Sequence, residues 1–266
     1  VNISVFDEIE CMAARESWIH LRDPRAKIVV VFGFVVAMVS FPRTAVSALL
    51  PLSFFLAWWA SVANVSARWI LKKLVVPLLL LALFGAANLF FERETALFVG
   101  GFSISTGFLS WVSLLLRAVF SLSILLLLTS TTGISSIAAG MVRLGVPQVF
   151  VATIVLVFRY LFVLADEAGR MNRARVSRSF GRRGLGMGVA ATLLGQLMVR
   201  ALARSERIHA AMLARGGGKQ KMGFGQFRWN RSDTVFVFVS FSFFLSVRFL
   251  SITGIMGNMI LGVVPQ

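Results

Sequence analysis

Apolar windows of membrane length alternate with short charged connections along this chain, a pattern that predicts a bundle of helices in lipid. Windows near 27–41, 44–65, 74–91, 107–129 and 234–252 are predicted spans, because about twenty residues carry a helix across the hydrocarbon core. The run 149–164 is apolar enough to be a sixth. Further on, the pattern becomes one-sided. Leu193, Leu197, Met198, Ala201, Leu202, Ile208 and Met212 recur at three-to-four spacing, while Arg200, Arg204 and Arg207 take another face. That periodicity predicts amphipathic helices in place of further spans. The first is expected from Asp166, which stands four residues before Arg170 in the favourable order of charges. It is expected to break within 179–186, and the second to stop at Gly216-Gly217-Gly218, since glycine commonly follows a helix C-terminus. The tail 251–266 is apolar but short.

Charge orients the spans. Fourteen of the 27 Lys and Arg residues fall within 166–231, against three of the 11 acids. Positive charge marks the cytoplasmic flank of spanning helices, so this block is expected inside. Arg68, Lys72 and Lys73 place the connection between the second and third spans inside as well, whereas Glu92, Arg93 and Glu94 nearly cancel and suit the outside. Counting from these loops puts the N-terminus inside. It also forbids 149–164 from crossing, because crossing would carry the arginine block outward. The segment 147–165 is therefore expected along the cytoplasmic face, entered through the turn Gly145-Val146-Pro147.

Composition narrows the class. Hydrophobic residues make up 58% of the chain, with 25 Phe, more than a soluble core of 266 residues buries. The net charge of +16 raises nucleic acid as a partner, but a nucleic-acid binder needs no spans, and the positive-inside pattern explains the charge. The first apolar run follows Asp7, Glu8, Glu10, Glu16 and Asp23, the wrong order for a cleaved signal peptide. The chain is expected to keep its N-terminus and to insert through its internal spans. Cys11 stands alone, which leaves no intrachain disulfide or cysteine cage.

Catalytic motifs are missing from the sequence. His20 and His209 lie in separate segments and read as surface or packing residues; HExxH, GxSxG and a phosphate-cradling loop with its GK[ST] are absent. No metal site and no catalytic residue are expected. Arg117, Arg159 and Arg248 sit in apolar surroundings, where an ionised group is costly and a functional role is the first hypothesis. Three arginines could line an anion path, but interfacial, snorkelling or helix-facing roles are the quieter account. One short pattern recurs: Ser177-Arg178-Ser179 and Ala214-Arg215-Gly216. Small neighbours leave each guanidinium uncovered, so its planar fork can enter a groove and bind carboxylate or backbone oxygens.

Several stretches taken in order resemble one family: Leu21-Arg22-Asp23-Pro24-Arg25-Ala26-Lys27, Leu144-Gly145-Val146-Pro147, Phe158-Arg159-Tyr160-Leu161-Phe162, Asp166-Glu167-Ala168, Ser177-Arg178-Ser179, and Arg204-Ser205-Glu206-Arg207 through Ala211-Met212-Leu213-Ala214-Arg215-Gly216. The chain is similar to the transmembrane T component of energy-coupling-factor (ECF) transporters, in its cobalt-type CbiQ group. The resemblance implies an all-α integral membrane protein of about five transmembrane helices plus a cytoplasmic coupling domain of amphipathic helices. Its segments are 1–26, cytoplasmic; 27–132, four spans; 133–231, the cytoplasmic or interfacial coupling domain; and 232–266, a last span. It assigns ATPase coupling to Arg178 and Arg215, with Ser177, Ser179, Ala214 and Gly216 flanking them. Two departures stand out: the first motif is Ser-Arg-Ser where Ala-Arg-Gly is usual, and glycines follow the second where an aromatic residue is common. The implied partners are two ABC-type ATPases, which bind the ATP, and a separate substrate-binding membrane S component of the cobalt type. No cofactor is expected in this chain, which is expected in the cell (inner) membrane and is not expected to be an enzyme. Nickel or a vitamin is the alternative cargo. In another class, a membrane enzyme acting on lipid phosphates could use the basic residues, although it would lack acidic metal-binding clusters.

Overall fold

The computed structural model describes residues 12, 17–42, 46–91, 95–99, 102–179, 186–216 and 229–249. Cys11, the connection 92–94, most of the break at 179–186 and the tail 251–266 lie outside the described residues. The elements in order are α1 (Pro24–Val39), α2 (Val46–Val62), α3 (Ala67–Phe91), β1 (Thr95–Val99), β2 (Phe102–Ser105), α4 (Thr106–Thr131), α5 (Ile134–Arg143), α6 (Gln148–Arg178), α7 (Met187–Ala214) and α8 (Arg231–Phe249). The chain forms two compact units. A bundle unit comprises Ile9–Gly140 and Phe227–Gln266; a hairpin unit comprises Val1–Glu8 and Met141–Gln226.

The helix ends of the bundle follow from local chemistry. Asp23 caps α1 by accepting the backbone N–H of Arg25 at 2.9 Å, and Pro24 fills the first helical position, where no donor is required. Asn230 and Asp233 bracket the start of α8. The Asn230 side chain accepts from the Arg231 N–H at 2.8 Å, and Asp233 reaches back to the Asn230 N–H at 3.0 Å, the return half of a capping box. Between α2 and α3, Asn64 takes a left-handed backbone at φ 53°, and the Val65 N–H closes on Ala60 O at 3.1 Å. The Ser66 hydroxyl then receives the Trp69 N–H at 3.3 Å. This tight turn corrects one expectation. Arg68, Lys72 and Lys73 belong to the opening turns of α3, not to a loop.

The bundle core is aromatic. Phe55 stacks on Phe34 with centroids 5.8 Å apart and meets Phe244 edge-on at 5.0 Å, while Trp59 meets Phe236 at 5.8 Å. Edge-to-face pairs of this kind add to the free energy of burial. α1 and α8 pack so closely that a Cβ at Gly33 would lie 2.7 Å from Phe241 Cζ. Outside the core, Val76, Leu79 and Leu83 of α3 are largely exposed, a surface suited to lipid and not to water.

Among the described residues, four helical stretches are long and apolar enough to cross a membrane: Ala67–Ala86, Gly107–Thr131, Gln148–Arg178 and Arg231–Phe249. Three coincide with expected spans. α1, with 16 residues, is about as long as its window but begins earlier, at Pro24, whereas α2, with 17 residues, is shorter than its window. Two further differences stand out. An antiparallel hairpin, β1 with β2, pairs Val99 with Phe102 and Thr95 with Ser105 just before α4; twenty-residue windows overlook so short a feature. And α6 is one uninterrupted helix of 31 residues, so no helix begins at Asp166. The apolar run and the polar stretch after it share one backbone ladder, because no proline or glycine pair interrupts them.

Candidate functional site

The hairpin unit consists chiefly of α6 and α7. Gly145, at φ +101°, turns the chain into α6, with the Val146 N–H on Met141 O at 3.1 Å. Ala168 and Met171, late in α6, share a cavity with Ala190 and Leu193, early in α7. Thr153 and Val157, early in α6, share another with Ile208 and Met212, late in α7. The two helices therefore run in opposite directions, and their C-terminal ends lie at opposite ends of the pair.

Polar and apolar contacts hold this pair together. Glu167 of α6 accepts from Arg170 at 2.6 Å and also from Arg200 of α7. The carboxylate thus bridges a neighbour on its own helix and one on the other, a geometry that restricts sliding although exposed ion pairs contribute little free energy. Between the helices runs an open groove of about 560 Å³, with Val157, Tyr160, Leu161, Met198, Leu202 and Met212 among its walls. Val157, Leu161, Met198 and Leu202 are exposed.

Each x-Arg-x triplet ends a helix. Arg178 is the last residue of α6, followed by its cap Ser179. The flanking hydroxyls turn back onto the helix: Ser177 Oγ donates to Arg173 O at 3.1 Å and Ser179 Oγ to Val176 O at 3.0 Å. Val176 O is one of the carbonyls that the helix end leaves without a helical donor, and Arg178 remains exposed between the two serines. At the other end of the pair, Arg215 caps α7 with its N–H on Ala211 O and Met212 O, both at 3.2 Å. Gly216 follows at φ +82°, in open space, so its backbone conformation and not crowding calls for glycine. Ala214, Arg215 and Gly216 are exposed. Both guanidiniums sit where the helix dipole favours a cation.

The remaining candidate residues divide. Arg117 Nη2 donates to Phe41 O at 3.0 Å and Pro42 O at 2.6 Å, and Arg248 Nε donates to Ser40 Oγ at 3.2 Å. Both close the C-terminal end of α1 and line no common path. Arg159 is exposed on α6. His20 pairs with Ser17 Oγ at 2.6 Å, and His209 borders the groove. Among the described residues no three His, Cys, Asp or Glu side chains gather into a metal site.

Sequence reading missed a buried polar clamp. Lys27 donates to Thr131 O and Thr132 Oγ1, both at 3.0 Å, while Arg22 pairs with Asp233 at 3.5 Å. The clamp joins the segment before α1 to the end of α4 and the start of α8. A lysine opening an apolar helix was its signal.

A helical chain with several membrane-length segments, lipid-compatible flanks and an exposed basic helix pair has the build of a membrane transport component. Residues 15–223 match the CbiQ family of cobalt transport proteins, and the chain belongs to that family. It is 33% identical over 91 residues to the cobalt transport protein CbiQ of Rhodobacter capsulatus, an alignment that takes in 33% of this chain and 36% of that relative. The chain is thus a multi-pass membrane protein of that family.

Proposed function

We propose that this chain is the T component of an ECF-type importer, the subunit that transmits ATPase motion to a separate substrate-binding membrane protein, with cobalt as the cargo. One observation supports this above the others: two exposed arginines, each between small residues, end two antiparallel helices. The 28 residues of α7 rise about 42 Å, so one groove cannot take both arginines, while two ATPases can take one each. In this reading Arg178 and Arg215 enter grooves on the two ATPases, where a bidentate guanidinium binds carboxylate or carbonyl oxygens. ATP binds in those partners. Closure of the ATPase pair displaces the ends of α6 and α7, and the apolar groove between the helices carries the motion to the S component. The cargo's ligands reside in that component, and this chain acts without a cofactor or chemistry of its own.

Orientation follows from charge. The basic hairpin stays on the cytoplasmic side of the inner membrane, and the apolar first half of α6 lies along that face. Labelling tests this placement. With Cys11→Ser and Gly186→Cys, a membrane-impermeant maleimide is expected to react only after the membrane is opened. Reaction in intact cells would show that α6 crosses.

The decisive experiment is uptake by the complete complex in proteoliposomes. Arg178→Ala with Arg215→Ala should lower ATP-driven cobalt uptake by about 30-fold or more, the usual effect of losing arginine anchors at an interface, at unchanged levels of inserted protein. Wild-type uptake by that variant would end the coupling proposal.

A further inference from the structure

In the bundle unit, α2 and α8 leave a crevice of about 330 Å³ between them. Phe54, Trp58, Val239 and Phe243 are among its walls, while Trp18, Arg22 and Ser232 stand at one end. The two ends differ in chemistry. At the polar end the Arg22 guanidinium lies 3.8 Å above the Trp18 ring, and Arg22 is only 8% exposed. Trp18 and Trp229 are half exposed there, and the Trp229 indole donates to Thr234 Oγ1 at 2.8 Å. Tryptophans of this kind mark the head-group level of a bilayer. Arg22, Arg25, Lys27 and exposed Arg231 stand against Asp23 and Asp233, which leaves this end cationic, and the N-terminus of α8 adds its dipole. Towards Phe243 the crevice is apolar.

Its length selects the occupant. From Ser232 to Phe243, α8 rises about 16 Å, close to the roughly 15 Å of hydrocarbon in one leaflet. A partner's spanning helix would need a face running the full thickness of the membrane, whereas this crevice covers one leaflet from its cationic end. A single acyl chain is slender enough, and the cations suit a phosphate above it.

We propose that this crevice holds one anionic phospholipid, with an acyl chain along Phe54, Trp58 and Val239 and its phosphate beside Arg231, Ser232 and Trp18. The site is independent of Arg178 and Arg215, so it stands or falls separately from the coupling role.

The full chain, purified in detergent with equal phosphatidylglycerol and phosphatidylcholine, is the material for the test. Native mass spectrometry should show phosphatidylglycerol retained about tenfold over phosphatidylcholine, and a diazirine on its acyl chain should crosslink to α2 and α8. Val239→Trp, which fills the crevice, should remove both signals; Arg231→Gln should reduce the preference severalfold; Leu83→Trp, on the lipid face of α3, should leave it unchanged. Equal retention of the two lipids, crosslinks confined to other helices, or a preference untouched by Val239→Trp would overturn the proposal. So would displacement of the lipid by glycerol phosphate, which lacks the chain.

Discussion

Arginine and lysine do different work in the two units. In the bundle, Arg22, Lys27 and Arg117, all buried or half-buried, turn back onto the protein. They meet Asp233, the end of α4 and the end of α1, where carbonyls lack helical partners. In the hairpin unit, Arg178 and Arg215 stand exposed, while small neighbours satisfy their own helix ends. The difference lies in what surrounds the guanidinium or ammonium. A cation removed from water requires a partner nearby, so it becomes a fastener. One left in water can bind a partner from outside, and flanking residues without bulk keep it accessible. Sequence composition treats both sets as one positive charge, but they predict opposite mutational behaviour.

The contrast can be broken in order of expected size. Asp233→Ala should act most strongly, because it leaves Arg22 buried without its carboxylate and removes the capping contact to Asn230; about 3–5 kcal/mol of stability should be lost, read as a large drop in the thermal midpoint in detergent. Lys27→Met keeps the apolar stem but deprives Thr131 O and Thr132 Oγ1 of their donor. A loss of about 1–3 kcal/mol is expected by the same measurement, and an unchanged midpoint would show that the clamp is dispensable. Arg178→Ala with Arg215→Ala should shift stability by less than about 0.5 kcal/mol. If that double variant unfolds as readily as Asp233→Ala, the hairpin arginines are fasteners too, and the contrast fails.

Much of this was legible along the chain. The periodic apolar face of α7 and the glycine after Arg215 placed that helix and its end. The five expected windows fell on helices because continuous apolarity is a property of composition. Boundaries moved where side-chain hydrogen bonds decide them. α8 starts at Arg231 because Asn230 and Asp233 cap it, and α3 starts early because Asn64 permits a left-handed turn. The β1–β2 hairpin carried a readable signal, two short runs with β-branched and aromatic residues on either side of Gly100-Gly101 in the sequence, which a search for membrane-length windows passes over.

By itself the sequence determined the helical class, the membrane-length segments, the concentration of positive charge and the two uncovered arginines, since each depends on neighbours within a few residues. Only the tertiary structure decided which cations are fasteners, that α6 is a single helix running antiparallel to α7, and that the two arginines occupy opposite ends of that pair. Lys27 meets Thr131 and Arg22 meets Asp233 across a hundred residues or more of intervening chain. No local pattern encodes such a meeting, because it depends on how helices pack after each has formed.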